Sequence, residues 1–169
     1  MHHGFRLSLL LLAVVLISAI FSGCAGSGAS TATPGRPDWI RDAKSGCAVW
    51  NPMPQAGETI AWSGGCQDGR AQGRGTLVFY QNGQERHRYD GDFKGGYLDG
   101  HAVYSTPDGY RFEGIYANDQ KVKGVERYLG YRYEGEFRND RFHGQGALTW
   151  PDGRVEKGVW ENGELVSPR

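Results

Sequence analysis

Few side chains in this chain are disposed for chemistry, and their spacing argues against most of what they could do. Beyond its first three residues the histidines are His87, His101 and His143, scattered without ligand spacing or an obvious partner. Solvated sheet positions are their expected role, in place of metal binding or acid–base catalysis. Gly73-Arg74-Gly75 and Gly144-Gln145-Gly146 superficially suggest phosphate loops, yet neither opens a helical pattern, so they read as glycines of a repeat. Asp90, Asp92, Glu134 and Glu136 could mimic the paired carboxylates of a glycosidase. They recur at equivalent places, however, and an active site occurs once whereas a solvated strand position returns with every copy of a unit. Ser63 and Ser105 lack a nucleophile-elbow context. No catalytic residue, metal or cofactor is expected.

Aromatic residues are the better candidates for binding. Tyr104, Tyr110, Tyr131 and Trp150 fall near expected strand ends or turns, where they could line a groove and stack on a sugar, a peptide or a lipid headgroup. The alternative is that they complete an aromatic core. Composition leaves room for it: the 169 residues include 27 Gly, 5 Trp, 9 Tyr and 7 Phe, so packing must rely on rings more than on an aliphatic interior. Nineteen basic residues balance nineteen acidic ones, for a formal net charge of zero, which excludes nucleic acid as an expected partner.

Three cysteines divide between two tasks. Arg6, the apolar run Leu7–Phe21 and the small residues Ser22 and Gly23 make residues 1–23 a secretory signal layout. As a helix the run spans about 22 Å, short of the roughly 30 Å hydrocarbon core, so cleavage is favoured over a retained anchor. About 145 residues then remain, the size of one domain. Phe21-Ser22-Gly23-Cys24 resembles the bacterial lipobox, which would make Cys24 the lipidated first residue; the alternative is an ordinary small residue near a conventional cleavage site. Ala25 follows, where the lipoprotein pattern associates Asp with inner-membrane retention, so the implied address is the periplasmic face of an outer membrane. Residues 24–38 lack bulky apolar side chains and read as a flexible tether with an r.m.s. span of about 20 Å. Cys47 and Cys66 are left as a pair that would persist as a disulfide in an oxidising compartment, the alternative being two buried free thiols.

The elements that carry these residues are repeats. Tyr89–Gly109 and Tyr133–Gly153 share one punctuation: an aromatic, Gly two on, Phe four on, Gly eleven on and a closing Pro-Asp-Gly. They are the second and fourth of a series that opens with a copy at Trp62, Gly64, Cys66, Gly73 and Gly75; the second has Tyr89, Gly91, Phe93 and Gly100. A degenerate third has Phe112, Gly114 and Tyr116, with Lys123 standing where Gly is expected. The fourth has Tyr133, Gly135, Phe137, Gly144 and Gly146, and a half-copy follows with Gly158 and Trp160. From Gly91 to Gly114 and from Gly135 to Gly158 the period is about 23 residues, in the range of repeat architectures.

These copies resemble MORN repeats, whose units begin Tyr-x-Gly-x-Phe/Trp and run through Gly-x-Gly to Asp-Gly. Cys47–Gly75, with Cys-x-Val-Trp-Asn-Pro and Trp-Ser-Gly-x-Cys, is also similar to the leading unit of exported bacterial MORN proteins. The resemblance implies scaffolding or lipid association.

Alternation along each strand puts Tyr133, Gly135 and Phe137 on one face and Glu134, Glu136 and Arg138 on the other. The expected fold is therefore all-β: an elongated, twisted antiparallel sheet of successive hairpins, with residues 39–61 as capping strands and residues 62–169 as the repeat array. Cys66 takes the place held by Phe93, Tyr116, Phe137 and Trp160 in later copies, so it is expected to face the packed side. The expected function is a non-catalytic, membrane-tethered interaction or scaffold module of the cell envelope, meeting a protein, an envelope polymer or a lipid. The alternative is a protein that binds or hydrolyses glycans. A specific partner site is expected where the repeat fails, at Asp119–Tyr128.

Overall fold

The computed structural model describes residues 37–169, which form strands, turns and loops without a helix. The signal segment, Cys24 and nearly all of the tether lie outside the described residues. Four short strands come first: β1 (Asp38–Arg41), β2 (Ala48–Asn51), β3 (Glu58–Trp62) and β4 (Gly65–Gln67). The long strands β5 (Arg70–Gln81) and β6 (Gln84–Lys94) follow, then β7 (Tyr97–Ser105), β8 (Arg111–Ala117) and β9 (Gln120–Tyr128). The array ends with β10 (Tyr131–Arg138), β11 (Arg141–Thr149), β12 (Val155–Glu161) and β13 (Glu164–Pro168). From β5 onward each strand pairs antiparallel with the next, in one open sheet. Both β3 and β4 pair with β5 on the edge away from β6.

Two-residue turns such as Asn118-Asp119 and Asn139-Asp140 close the hairpins with positive φ at both positions (47° and 66°; 51° and 58°). Asn and Asp tolerate that left-handed backbone better than other side chains, and it matches the right-handed twist of the flanking strands.

What holds neighbouring hairpins together is a ring laid over bare backbone. Gly135 pairs with Gly146 across β10 and β11, and the fully buried Tyr133 ring lies over that crossing. Its hydroxyl donates to the Glu136 and His143 carbonyls at 3.1 and 3.3 Å. Phe112 covers the Gly114–Gly124 crossing in the same way, and Trp62 covers Gly64 and Gly75. Edge-to-face contacts then link the rings into a continuous core: Trp62 to Phe93 at 4.7 Å, Phe112 to Phe137 at 5.1 Å and Tyr133 to Trp160 at 5.6 Å. Such contacts add about 0.5–1.5 kcal/mol each beyond the area they bury.

The irregular third copy is more regular in space than in sequence. Gly124, not residue 123, meets Gly114, because only Val122 is bulged out between Lys121 and Lys123 where β11 bulges Gly144 and Gln145. Lys123 is therefore no substitute for a glycine; the copy has a shorter bulge. Beyond the β11 bulge Phe142 pairs with the inward Phe137 and stacks on Tyr133 at 3.8 Å.

At the N-terminal end the chain departs from a plain ladder. The hairpin β1–β2 packs against the turn between β6 and β7: Trp50 N–H donates to the Gly96 carbonyl and Ala48 N–H to the Gly69 carbonyl, both at 2.9 Å. A single parallel bridge joins Ala48 to Arg70. Trp39 packs edge-on to Trp50 and Tyr97 at 5.3 and 5.4 Å, with the Arg70 guanidinium over its ring at 4.0 Å. Gly96 is needed there, since a Cβ would run into Trp39 and the Ala48 carbonyl.

Cys47 and Cys66 form a disulfide with Cα atoms 5.7 Å apart. Cys47 is buried, but Cys66 is exposed, contrary to the expectation that it would replace an inward aromatic. The chain bends at Ser63-Gly64 after Trp62, so β4 leaves the β3 line and Trp62 fills the core instead. Closing a loop of about 20 residues is worth roughly 3 kcal/mol in the chain-entropy model. Cys47→Ser and Cys66→Ser are expected to lower the melting temperature by similar amounts, because either breaks the same bond; unchanged melting in both would exclude a stabilising clasp. Gly146→Ala is expected to destabilise by about 1–3 kcal/mol in chemical denaturation, the cost of forcing a methyl against the Tyr133 ring.

Candidate functional site

Strands β5 to β8 bring Leu77, Phe79, Tyr89, Phe93, Leu98, Tyr104 and Tyr116 onto one face, and the segment Val49–Met53, the end of the cap hairpin and the residues after it, stands opposite them. Between the two lies a groove of about 570 Å³, within the range of small-molecule sites. Its walls are mainly apolar. Tyr89 and Tyr104 stack at 4.5 Å with rings 13° from parallel, and His87 Nδ1 lies 2.7 Å from the Tyr104 hydroxyl. Burial holds the His87 imidazole below its usual pKa and raises the Tyr104 phenol above its own.

Asp119 is the main polar group of the groove. Its Oδ1 accepts from Leu98 N–H at 2.6 Å, which ties the β8–β9 turn to the start of β7. Its Oδ2 is buried without a hydrogen-bond partner. Desolvation pushes the carboxyl up to about 6 against the opposing Leu98 hydrogen bond, with the nearby Asp99 charge adding to the rise. Tyr116 is only 4% exposed, and its hydroxyl too lacks a partner. Asp140 borders the groove from the β10–β11 turn, and Glu58 from β3 accepts there from Asn51 Nδ2 and, at 3.3 Å, from Gln55 N–H.

Beside the groove, Lys121 enters the core. Its ammonium lies 5.0, 5.1 and 5.5 Å from the ring centroids of Tyr110, Phe112 and Phe137, and 2.8 Å from Glu126 Oε2. Tyr131 donates to Glu126 Oε1 at 2.8 Å, the Tyr110 hydroxyl donates to Oε2, and Lys121 also donates to that hydroxyl. A buried ion pair repays its desolvation only when such bonds occupy its remaining donors and acceptors, which they do here. Burial, reinforced by the Glu126 carboxylate, pushes the Tyr110 and Tyr131 phenols upward.

Of the four aromatic candidates, Tyr104 lines the groove. Tyr110 and Tyr131 are committed to Glu126, and Trp150, under the Arg154 guanidinium at 5.1 Å, is not among the groove residues. The stretch Asp119–Tyr128 contributes Asp119 and Lys121 to the site. His101 is exposed and His143 stands apart from the groove; among the described residues no group of three His, Cys, Asp or Glu side chains converges for a metal ion. Val49–Met53 was missed as a wall, since nothing in that stretch signals that it crosses to the sheet face.

Residues 89–109 and 133–153 match the family described as MORN repeat, two repeats within the array. No curated protein matches the chain.

Because Asp119 holds its proton more tightly folded than unfolded, the unfolded chain ionises first as pH rises from about 4 toward 6. The carboxyl therefore subtracts stability through that window and the loss is complete above it. Asp119→Asn keeps an acceptor for Leu98 and removes the titration. The melting temperature of the variant minus that of the wild type is expected to grow between pH 4.5 and 7; a flat difference would contradict the buried-carboxyl reading.

Proposed function

We propose that this chain is a non-catalytic interaction module, held at the outer membrane of a bacterial envelope by lipid on Cys24, whose groove receives a ligand or partner from the periplasm. The observation that carries this reading is the groove itself: apolar and aromatic on both walls, with unpaired buried polar atoms on Tyr116 and Asp119. Such a surface binds through area and a few directed hydrogen bonds, with no nucleophile or convergent acid–base pair for it to serve. Two MORN repeats agree with an interaction role, since such repeats commonly mediate contact with membranes or proteins. Export and tethering rest on the sequence alone, on the run Leu7–Phe21, the Phe21-Ser22-Gly23-Cys24 stretch and the small, polar tether beyond it.

Photo-crosslinkers placed at Tyr104, in the groove, and at Val155, exposed on β12, test the binding surface in native envelopes. Capture of one species from the first position and not from the second is expected. Equal labelling from both, or cleavage of a glycan by the purified protein, would refute the reading. Cys24→Ala is expected to release the protein to the soluble periplasm; continued membrane fractionation would assign the anchorage to Leu7–Phe21.

A further inference from the structure

The molecule already shows how its aromatic face holds a cation. Lys121 has an ammonium among the rings of Tyr110, Phe112 and Phe137, with Glu126 as counter-ion and the Tyr110 hydroxyl as acceptor. The neighbouring groove repeats those ingredients from different residues. Tyr89, Phe93 and Tyr104 supply rings, Asp119 and Asp140 supply carboxylates, and Tyr116 supplies a phenol. Of the residues lining it, only Lys121 carries a fixed positive charge, and that charge is spent on Glu126 at 2.8 Å.

Resting on the reading that the groove is the interaction site, we infer that it binds an organic ammonium: an apolar body against the rings, with the charged head donating to Asp119 Oδ2 and to the Tyr116 hydroxyl. Tyr116 is 4% exposed and its hydroxyl meets no protein acceptor or donor, which is costly for a buried phenol that serves only packing. The Oδ2 atom of Asp119 is in the same condition. A neutral ligand of the same shape would satisfy one or both atoms but leave carboxylate charge in an apolar wall; an anion would add to it. Ring faces favour a cation on electrostatic grounds as well.

The titratable groups lining the groove besides Asp119 are Glu58 from β3, His87 and Tyr89 from β6, Tyr104 from β7, Tyr116 from β8, Lys121 from β9 and Asp140 from the β10–β11 turn, and Asp99 of β7 lies close enough to Asp119 to raise its pKa. Burial lowers the His87 pKa and raises those of the three tyrosines, while the Asp119 carboxyl, pushed up to about 6, gains its negative charge between pH 5 and 7.5. The same ammonium head could arrive on a free amine or on a lysine side chain.

Hexylamine, 1-hexanol and hexanoate, titrated against the full chain and followed by backbone amide NMR shifts, test the assignment. Hexylamine is expected to shift the amides of Tyr104, Tyr116 and Asp119 and to bind at least tenfold more tightly than hexanol, with hexanoate weakest. Its affinity is expected to rise from pH 5 to pH 7.5, to fall at least tenfold in Asp119→Asn and less in Tyr116→Phe, while Glu134→Gln leaves it unchanged. An acetylated, amidated tripeptide Ala-Lys-Ala, against its Nε-acetylated form, separates a side-chain pocket from a free-amine site. Equal binding of hexanol and hexylamine at the groove, or amine binding that survives Asp119→Asn in a variant that melts normally, would overturn the ammonium assignment while leaving the groove as the interaction site. Absence of groove shifts with all three probes would overturn both.

Discussion

The structure depends on contact between an aromatic ring and a crossing of two glycines. A hairpin of this length cannot bury enough apolar surface to stand alone. Where Gly135 meets Gly146 the backbones are bare, and the Tyr133 ring can rest on them and still reach the next hairpin. The glycines thus do structural work that their entropy cost in a strand would otherwise argue against. Strand order, twist and the alternation of buried and exposed residues all follow from repeating that contact.

The same economy explains why a groove exists. Between the crossings, rings such as Tyr89, Tyr104 and Tyr116 fall on one face, and in a uniform ladder that face would be a shallow aromatic floor. The cap hairpin changes this by packing on the β6–β7 turn, which sets Val49–Met53 across from the floor. The disulfide secures Cys47, just ahead of that segment, to the short strand β4. Depth is therefore created by a non-repeating element resting on a repeating one, and the polar atoms that end up inside belong to turns and to the shortened third copy.

Much of the fold was legible in the sequence because it is local. Tyr-x-Gly-x-Phe at a fixed period specifies the crossing, and Asn-Asp or Asp-Gly specifies the turn. What could not be read was decided by tertiary contacts or by bulge size. A one-residue bulge hid Gly124 behind Lys123 and, by shifting the alternation, put Lys121 on the inward side opposite Tyr116. Lys121 sits in a stretch, Gln120-Lys121-Val122-Lys123, that reads as a solvated strand edge; only the arrangement of Tyr110, Phe137 and Glu126 around it reveals a buried cation. The Cys47–Cys66 pairing followed from counting cysteines, whereas the exposure of Cys66 required knowing that β4 bends away from β3.

The sheet is open, and beyond β6 each strand is held mainly by its two neighbours, so cohesion runs in one dimension. Among the described residues only β1 to β5 carry a covalent clasp and a second layer. Opening of the ladder is thus directional: β13, secured from one side, and then β12 are the places where amide protons first meet solvent, and protection deepens toward β5 and β6. The groove lies at the protected end. A molecule of this kind can lose its C-terminal hairpin transiently without disturbing the groove.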